Sequence, residues 1–247
     1  MGGQYIEPMR RSRWLGTVAA RTLALPTRCA VCRAWDGARL CRDCVARFVV
    51  QRPRCRRCAI EVPSGVDTCG ECLQRPPAFE RGIAAVAYDH PWDGLVADFK
   101  FHGALDLAPV LAGLVEQAVR AAGAPLPDLV LPVPLGTARL RERGYNQAWE
   151  LARRIARALR LPAESAWLGK MRETPHQLAL PRAERAANVR GAFLVEPRRA
   201  RELRGRAVAL VDDVLTPGAT AGEIATVLRR AGAARVQLWV LARTPAD

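Results

Sequence analysis

Residues 208–220 read VALVDDVLTPGAT. An apolar run meets two adjacent carboxylates, Asp212 and Asp213, and a loop of small and hydroxylated residues follows. A phosphate at a strand-to-helix turn is held by backbone N–H groups and by the positive end of the helix. The stretch 216–220 predicts such a turn: Gly218 lets the backbone approach closely, and Thr216 and Thr220 add hydroxyl donors. Thr220 and Glu223 have the spacing of a capping box for the helix that follows. Carboxylates repel phosphate, so Asp212 and Asp213 suit vicinal hydroxyls, or a Mg²⁺ carried by the same ligand. A sugar with a phosphate at one end and two free hydroxyls meets both demands. The plainer alternative is an ordinary strand end followed by a helix cap.

A second constellation lies upstream. All eight cysteines form four C-x-x-C pairs, Cys29/Cys32, Cys41/Cys44, Cys55/Cys58 and Cys69/Cys72, with 8, 10 and 10 residues between pairs. One such pair on a tight knuckle presents two sulfurs to one metal, and two knuckles complete a tetrahedron. Four knuckles predict two Cys₄ zinc sites. Redox proteins usually carry a single pair, and disulfides are disfavoured in the cytoplasm, the compartment expected for this chain. A closed Cys₄ site has no open coordination position, so both zinc ions are expected to be structural. Pairing in sequence order and interleaved pairing are both compatible with the spacing.

These groups need elements to position them. The stretch 73–82, with its double proline, reads as a linker. It divides an N-terminal helix and double zinc ribbon, residues 1–80, from a second domain, residues 81–247. In the second part, strands are predicted at 82–89, 128–134, 207–211 and 235–242. Helices are predicted at 105–122, from Asn146 onward, and at 222–232. Ala148, Leu151, Ala152, Ile155 and Leu159 fall on one face of the middle helix. Strands alternating with helices predict an α/β fold with a parallel sheet covered on both faces.

The formal charge is +14, and 36 of the 38 basic residues are arginine. Eight thiolates and two Zn²⁺ would lower it to about +10. Such a chain binds phosphate polymers weakly by default, so charge alone does not establish a nucleic-acid partner. The stretch 9–26 begins like a signal sequence, but Arg21 interrupts its apolar part and an amphipathic surface helix is the better reading. No apolar run is long enough to span a membrane.

The stretch 208–220 resembles the thirteen-residue phosphoribosyl-pyrophosphate (PRPP) motif of type I phosphoribosyltransferases. Further segments narrow the resemblance: PVP (132–134), RLRERGYNQAWELA (139–152), RETPHQLALPRAERAANVRGAF (172–193) and FKFHG (99–103). Together with the Cys-rich start they are similar to the ComF family, related to late-competence proteins, over nearly the whole chain. The resemblance implies a type I phosphoribosyltransferase-like sheet behind a zinc ribbon. It implies that Asp212 and Asp213 hold the ribose hydroxyls and that Thr216, Gly218, Ala219 and Thr220 wrap the 5-phosphate. Val133, Pro134 and the residues up to Gly136 would take the pyrophosphate, with Arg139 and Arg143 nearby. The segment from Arg172 to Arg190 would close over the site. Pro217 stands where the family often has Thr, and proline removes one backbone N–H from the cradle.

Two function classes follow. The first is an enzyme or binder that takes PRPP with Mg²⁺ and displaces pyrophosphate from C1 of the ribose toward an acceptor that the sequence does not identify. Asp212, Asp213, Lys100 and Arg172 are its candidate catalytic residues, and Arg182 and Arg185 are further candidate clamps. A lysine retained among so many arginines marks Lys100, and less strongly Lys170, as places that need a compact point charge. His102 and His176 read as surface or structural residues. The second class is an accessory protein of DNA uptake that binds single-stranded DNA and competence-machinery proteins on a retained transferase fold. A scaffold with a vestigial pocket is the plainest reading.

Overall fold

The computed structural model describes residues 26–172, 189–216 and 219–245. The N-terminal helix expected at 9–26 falls almost entirely outside them, as do Pro217, Gly218, His176, Arg182 and Arg185. The Cys-rich region carries a minimal ribbon of β1 (Thr27–Arg28) and β2 (Trp35–Asp36) and two short helices, α1 (Arg42–Phe48) and α2 (Gly70–Gln74).

The chain continues through β3 (Arg81–Ala87), α3 (Trp92–Phe101), a 3₁₀ turn at Leu105–Leu107 and α4 (Ala108–Ala121). Next come β4 (Leu129–Pro132), α5 (Thr137–Arg143) and α6 (Gln147–Leu159). A small antiparallel pair, β5 (Leu168–Lys170) and β6 (Phe193–Val195), precedes the short helix α7 (Ala200–Leu203). The last elements are β7 (Ala207–Leu215), α8 (Ala219–Arg230) and β8 (Arg235–Arg243).

Strands β3, β8, β7 and β4 form one parallel sheet in that order. Their continuous apolar runs follow from burial on both faces. Successive residues alternate between two buried clusters, as the period of a strand requires. Ala209, Val211, Trp239 and Leu241 face a layer that includes α3, α4 and α6. Val208, Leu210, Leu238 and Val240 face α8 and the β5–β6 pair. The parallel sheet flanked by helices, with a Cys-rich region ahead of it, is the architecture expected from the sequence. All five residues of the predicted α6 stripe are buried.

Most boundaries shift by one or two residues, and three differ more substantially from expectation. The helix expected at 105 opens as a 3₁₀ turn and becomes α-helical only at Ala108, where Pro109 occupies a first-turn position that tolerates a missing N–H. Strand β7 runs four residues past its predicted end. Asp212 pairs with Val240 and Val214 with Ala242, so the carboxylates lie within the strand rather than beyond it. Helix α8 begins at Ala219, which puts Thr220 inside its first turn instead of at a cap. Glu223 accepts the Gly191 amide at 2.8 Å.

The Cys-rich region is packed onto the sheet. Cys29, Leu40, Cys41 and Cys44 belong to the same buried cluster as Ile83, Trp92 and Trp239. Trp92 Nε1 donates to Phe48 O at 3.2 Å, and Arg243 Nε donates to Cys58 O at 3.1 Å. Gly82 has no room for a side chain: a Cβ there would stand 2.8 Å from Arg57 O, because the Cys55/Cys58 knuckle presses on β3.

Candidate functional site

The eight thiols gather into two groups, Cys29/Cys32/Cys41/Cys44 and Cys55/Cys58/Cys69/Cys72, with all sulfurs of a group within 4.8 Å of one another. A tetrahedron with Zn–S bonds of 2.3 Å has edges of about 3.8 Å. The Cys32–Cys41 and Cys58–Cys69 sulfurs are 3.6 Å apart, which fits. Backbone amides point at the sulfurs: Cys41 N donates to Cys29 Sγ at 3.4 Å and Cys69 N to Cys55 Sγ at 3.3 Å. These are two Cys₄ zinc-binding sites paired in sequence order, which decides between the alternatives that the spacing left open.

The carboxylate pair lies in the second half of β7, toward the C-terminal edge of the sheet, where open α/β folds bind ligands. Asp213 is 2% exposed. Its Oδ2 meets Lys100 Nζ, from the last turn of α3, at 2.9 Å. Its Oδ1 accepts from the Val214 amide at 2.7 Å, and Asp212 Oδ1 accepts from the Asp213 amide at 2.9 Å. Burial raises the Asp212 carboxyl to about 8, the neighbouring Asp213 adds to the rise, and Lys100 opposes it. At Lys100, burial works against the ammonium, but Asp213 and then Asp212 outweigh it and raise the pKa. The result is two adjacent carboxyls around one ammonium, with Asp212 held well above the usual carboxylate range.

The loop after β4 is tied to this strand. Val133 N donates to Val211 O at 2.8 Å, immediately before Asp212. Val133 O accepts from Asn146 Nδ2 at 3.0 Å, while Asn146 Oδ1 caps α6 through the amides of Ala148 and Trp149. Pro134 is half-buried beyond it, and Gly136 opens α5. Arg139 and Arg143 stand four apart on α5, and so on one face. Arg143 donates to Gln147 Oε1 at 2.5 Å and lies over the Phe101 ring, 5.1 Å from its centroid. Gly144, at φ +81, ends α5 in the left-handed conformation.

The structure therefore brings Lys100, Asp212, Asp213 and the Val133 loop into one neighbourhood. Thr216 is half-buried just after β7, and Ala219 and Thr220 open α8. Arg172 is exposed at the foot of the β5–β6 pair and donates to Arg190 O at 3.3 Å. His102 is exposed at the end of α3 and meets Asp98 at 2.9 Å.

Two supporting residues had no role in the sequence reading. Tyr145 donates its hydroxyl to Phe99 O and so fastens α3, which carries Lys100, to the start of α6. Asn146 caps α6 and holds Val133. An Asn directly ahead of a helical apolar period is an N-cap signal and could have been read. Tyr145 had no such signal. Asn146→Ala is expected to lose about 1 kcal/mol for the cap, and more for the freed Val133 carbonyl. Thermal denaturation should show this as a fall of at least about 3 °C.

Over 230 residues the chain is 36% identical to the DNA utilization protein YhgH of Salmonella typhi, covering 90% of this chain and 99% of that protein. It is 34% identical to competence protein F of Haemophilus influenzae over 225 residues, covering 87% of this chain and 96% of that one. The chain belongs to the ComF family. Residues 20–73 of this ComF protein match the double zinc ribbon domain family, in agreement with the two Cys₄ groups. Among solved structures, it resembles a glutamine PRPP amidotransferase from B. subtilis complexed with ADP and GMP. That match has 25% identity and a TM-score of 0.35, and it covers 53% of this chain and 25% of the other. The protein TT1426 from Thermus thermophilus aligns with 16% identity and a TM-score of 0.34, covering 57% of this chain and 84% of that one. At these scores the architecture rests on the topology of the sheet itself. Among the described residues, no helix is long and apolar enough to cross a membrane.

Proposed function

We propose that this ComF-family protein binds PRPP, with Mg²⁺ arriving on the pyrophosphate, at the C-terminal edge of its sheet. The observation that carries the reading is the buried Asp213 with its partner Asp212, held by Lys100 beside the loop that follows β4. Asp212 and Asp213 take the ribose hydroxyls as acceptors. Thr216, Gly218, Ala219 and Thr220 wrap the 5-phosphate, and Val133, Pro134, Arg139 and Arg143 face the pyrophosphate. Mg²⁺ suits the carboxylate and phosphate oxygens of such a site, all hard donors, and when bound it neutralises the leaving group. The reaction proposed for this arrangement is displacement of pyrophosphate from C1 by the nucleophile of an acceptor, with Lys100 and Arg172 as further cations. The printed names of the relatives, DNA utilization and competence, favour a second and compatible reading in which single-stranded DNA and proteins of the competence machinery are partners.

The test is calorimetric titration of PRPP with MgCl₂ into wild type and into Asp212→Asn/Asp213→Asn. The variant is expected to bind about a hundredfold more weakly, since two charge-assisted acceptors are lost. Ribose hydroxyls need an ionised Asp212, so wild-type binding at pH 7 should release a proton, seen as an enthalpy that varies with the buffer. Affinity should rise toward pH 8 and then level. Stability should move the other way. A carboxyl raised from 3.8 to about 8 favours the folded state below pH 4, and that contribution is lost as the pH climbs through 8. A wild type that takes up no PRPP would end the reading.

A further inference from the structure

A groove of about 370 Å³ lies between the second Cys₄ lobe and the β3 edge of the sheet. Arg52, Arg54, Arg56 and Arg81 line it, with no carboxylate and no aromatic ring among its lining residues. A second hollow of about 290 Å³ shares Arg56 and Arg81 and adds Arg57 and one carboxylate, Glu80, so the two form a continuous basic track. Arg81, Gly82 and Ile83 belong to the N-terminal half of β3. The track therefore sits two strands across from Asp212 and Asp213, with Arg81 level with Ala209, three residues ahead of Asp212.

Chain geometry explains the clustering. Arg52 and Arg54 flank Pro53 in an extended segment, bridged at Arg54 to Glu61, so alternate residues share a side. Arg56 enters the metal knuckle, where its carbonyl accepts the Gly82 amide at 3.0 Å and locks the lobe to β3. Zinc binding at Cys55 and Cys58 thus fixes the spacing of the arginines. Glu61 meets Arg52 at 2.9 Å and Arg54 at 3.5 Å, and Asp67 lies 3.7 Å from Arg56, yet neither acid lines either hollow. Arg54 is half-committed, donating to Ala59 O at 3.0 Å. Burial lowers its pKa, and Arg52 and Arg243 push the same way, against Glu61. Five guanidiniums facing three carboxylates leave an excess of positive charge in a partly desolvated trough.

We infer that this track is a second, separate anion site that takes the phosphodiester backbone of single-stranded nucleic acid. Its elongation over two contiguous hollows suits a run of phosphates better than one phosphate. The lack of aromatic platforms predicts backbone contact without base preference, since stacking on rings is the usual source of base contact in single-strand grooves. The inference rests on the DNA reading and is independent of the PRPP reading.

The experiment uses the full zinc-loaded chain and fluorescein-labelled dT and dA oligonucleotides, with binding followed by anisotropy against salt. The variant is Arg52→Gln/Arg56→Gln/Arg81→Gln; it spares the more buried Arg54, and because Arg81 also donates to Ala122 O at 3.2 Å the fold controls matter. Zinc content and thermal denaturation serve as fold controls. Wild type should bind dT and dA alike. The variant should bind at least about tenfold more weakly, with a salt slope shallower by about 2, because each lost phosphate contact on a single strand removes about 0.7. If the triple change disturbs the fold, Arg52→Gln and Arg81→Gln are measured singly, each expected to reduce the slope by about 0.7. Unchanged affinity and slope in a folded variant overturn the groove assignment. No binding by wild type at low salt removes the DNA reading and the inference together. Equal competition by dTMP and by oligonucleotide at matched phosphate concentration marks a site for free nucleotides and overturns the strand assignment. PRPP titration of the same variant should be unaltered, and Asp212→Asn/Asp213→Asn should leave oligonucleotide binding intact.

Discussion

Removal of zinc is expected to unfold the sheet domain as well as the Cys-rich region. Cys29, Cys41 and Cys44 share one buried cluster with β3, α3 and α4, so loss of the first site opens the core of the whole molecule. Without a cation the four thiols of a site cannot ionise together. At Cys29 burial is outweighed by the amides of Cys41, Cys32 and Val31, and the pKa falls to about 6. At Cys44 burial and the neighbouring sulfurs push it up to about 12. A Zn²⁺ that holds all four as thiolates supplies about 10–16 kcal/mol in small zinc-finger peptides. That matches or exceeds the entire stability of an ordinary domain, about 5–15 kcal/mol. Chelation should therefore release two zinc ions per chain and abolish the cooperative thermal transition. Cys44→Ser should retain one zinc and melt more than about 10 °C lower. A chelated chain that melts within a few degrees of the loaded one would show that packing alone sustains the fold.

The second large effect is expected at Lys100. Its ammonium, still partly open to solvent, is the cation in contact with the almost fully buried Asp213. In Lys100→Met the carboxylate stays buried without that partner. Breaking a buried pair from one side costs about 3–5 kcal/mol, and the partial exposure of Lys100 reduces this to about 2–3. Lys100→Met/Asp213→Asn removes the unpaired charge and should regain most of the loss. Urea denaturation of wild type, both single variants and the double variant at pH 7 gives the coupling directly. Additive effects would mean that the 2.9 Å contact contributes nothing to stability. The same cycle bears on the proposed function. In the proposed site the Lys100 ammonium offsets one of the two carboxylate charges, so the pair accepts hydroxyls without a metal of its own and Mg²⁺ accompanies the pyrophosphate.

Much of this protein could be read from local spacing. Two sulfurs separated by two residues sit on one knuckle whatever surrounds them, so four such pairs establish the metal chemistry. Apolar runs with a period of two or 3.6 determine strands and helices because covalent geometry fixes those periods, and the positions of α6, β7 and β8 followed to within a few residues. The acidic pair before a small-residue turn was equally visible.

What was not legible depends on distant partners. Lys100 was singled out only for its residue type, and its contact with Asp213 exists because α3 packs over the sheet and Tyr145 ties it there. Whether the knuckles pair in order or interleave depends on where the lobes dock, and here Gly82 admits the Arg56–Cys58 knuckle against β3. The extension of β7 through Asp212 was decided by hydrogen bonding to β8, which outweighed the low strand propensity of aspartate. The arginine track joins residues from the zinc lobe and the sheet edge, so no window of sequence contains it. Period and spacing are properties of neighbouring residues along the chain. Docking, pairing and the gathering of charge are set by the packing of the whole molecule, and only the folded structure decides them.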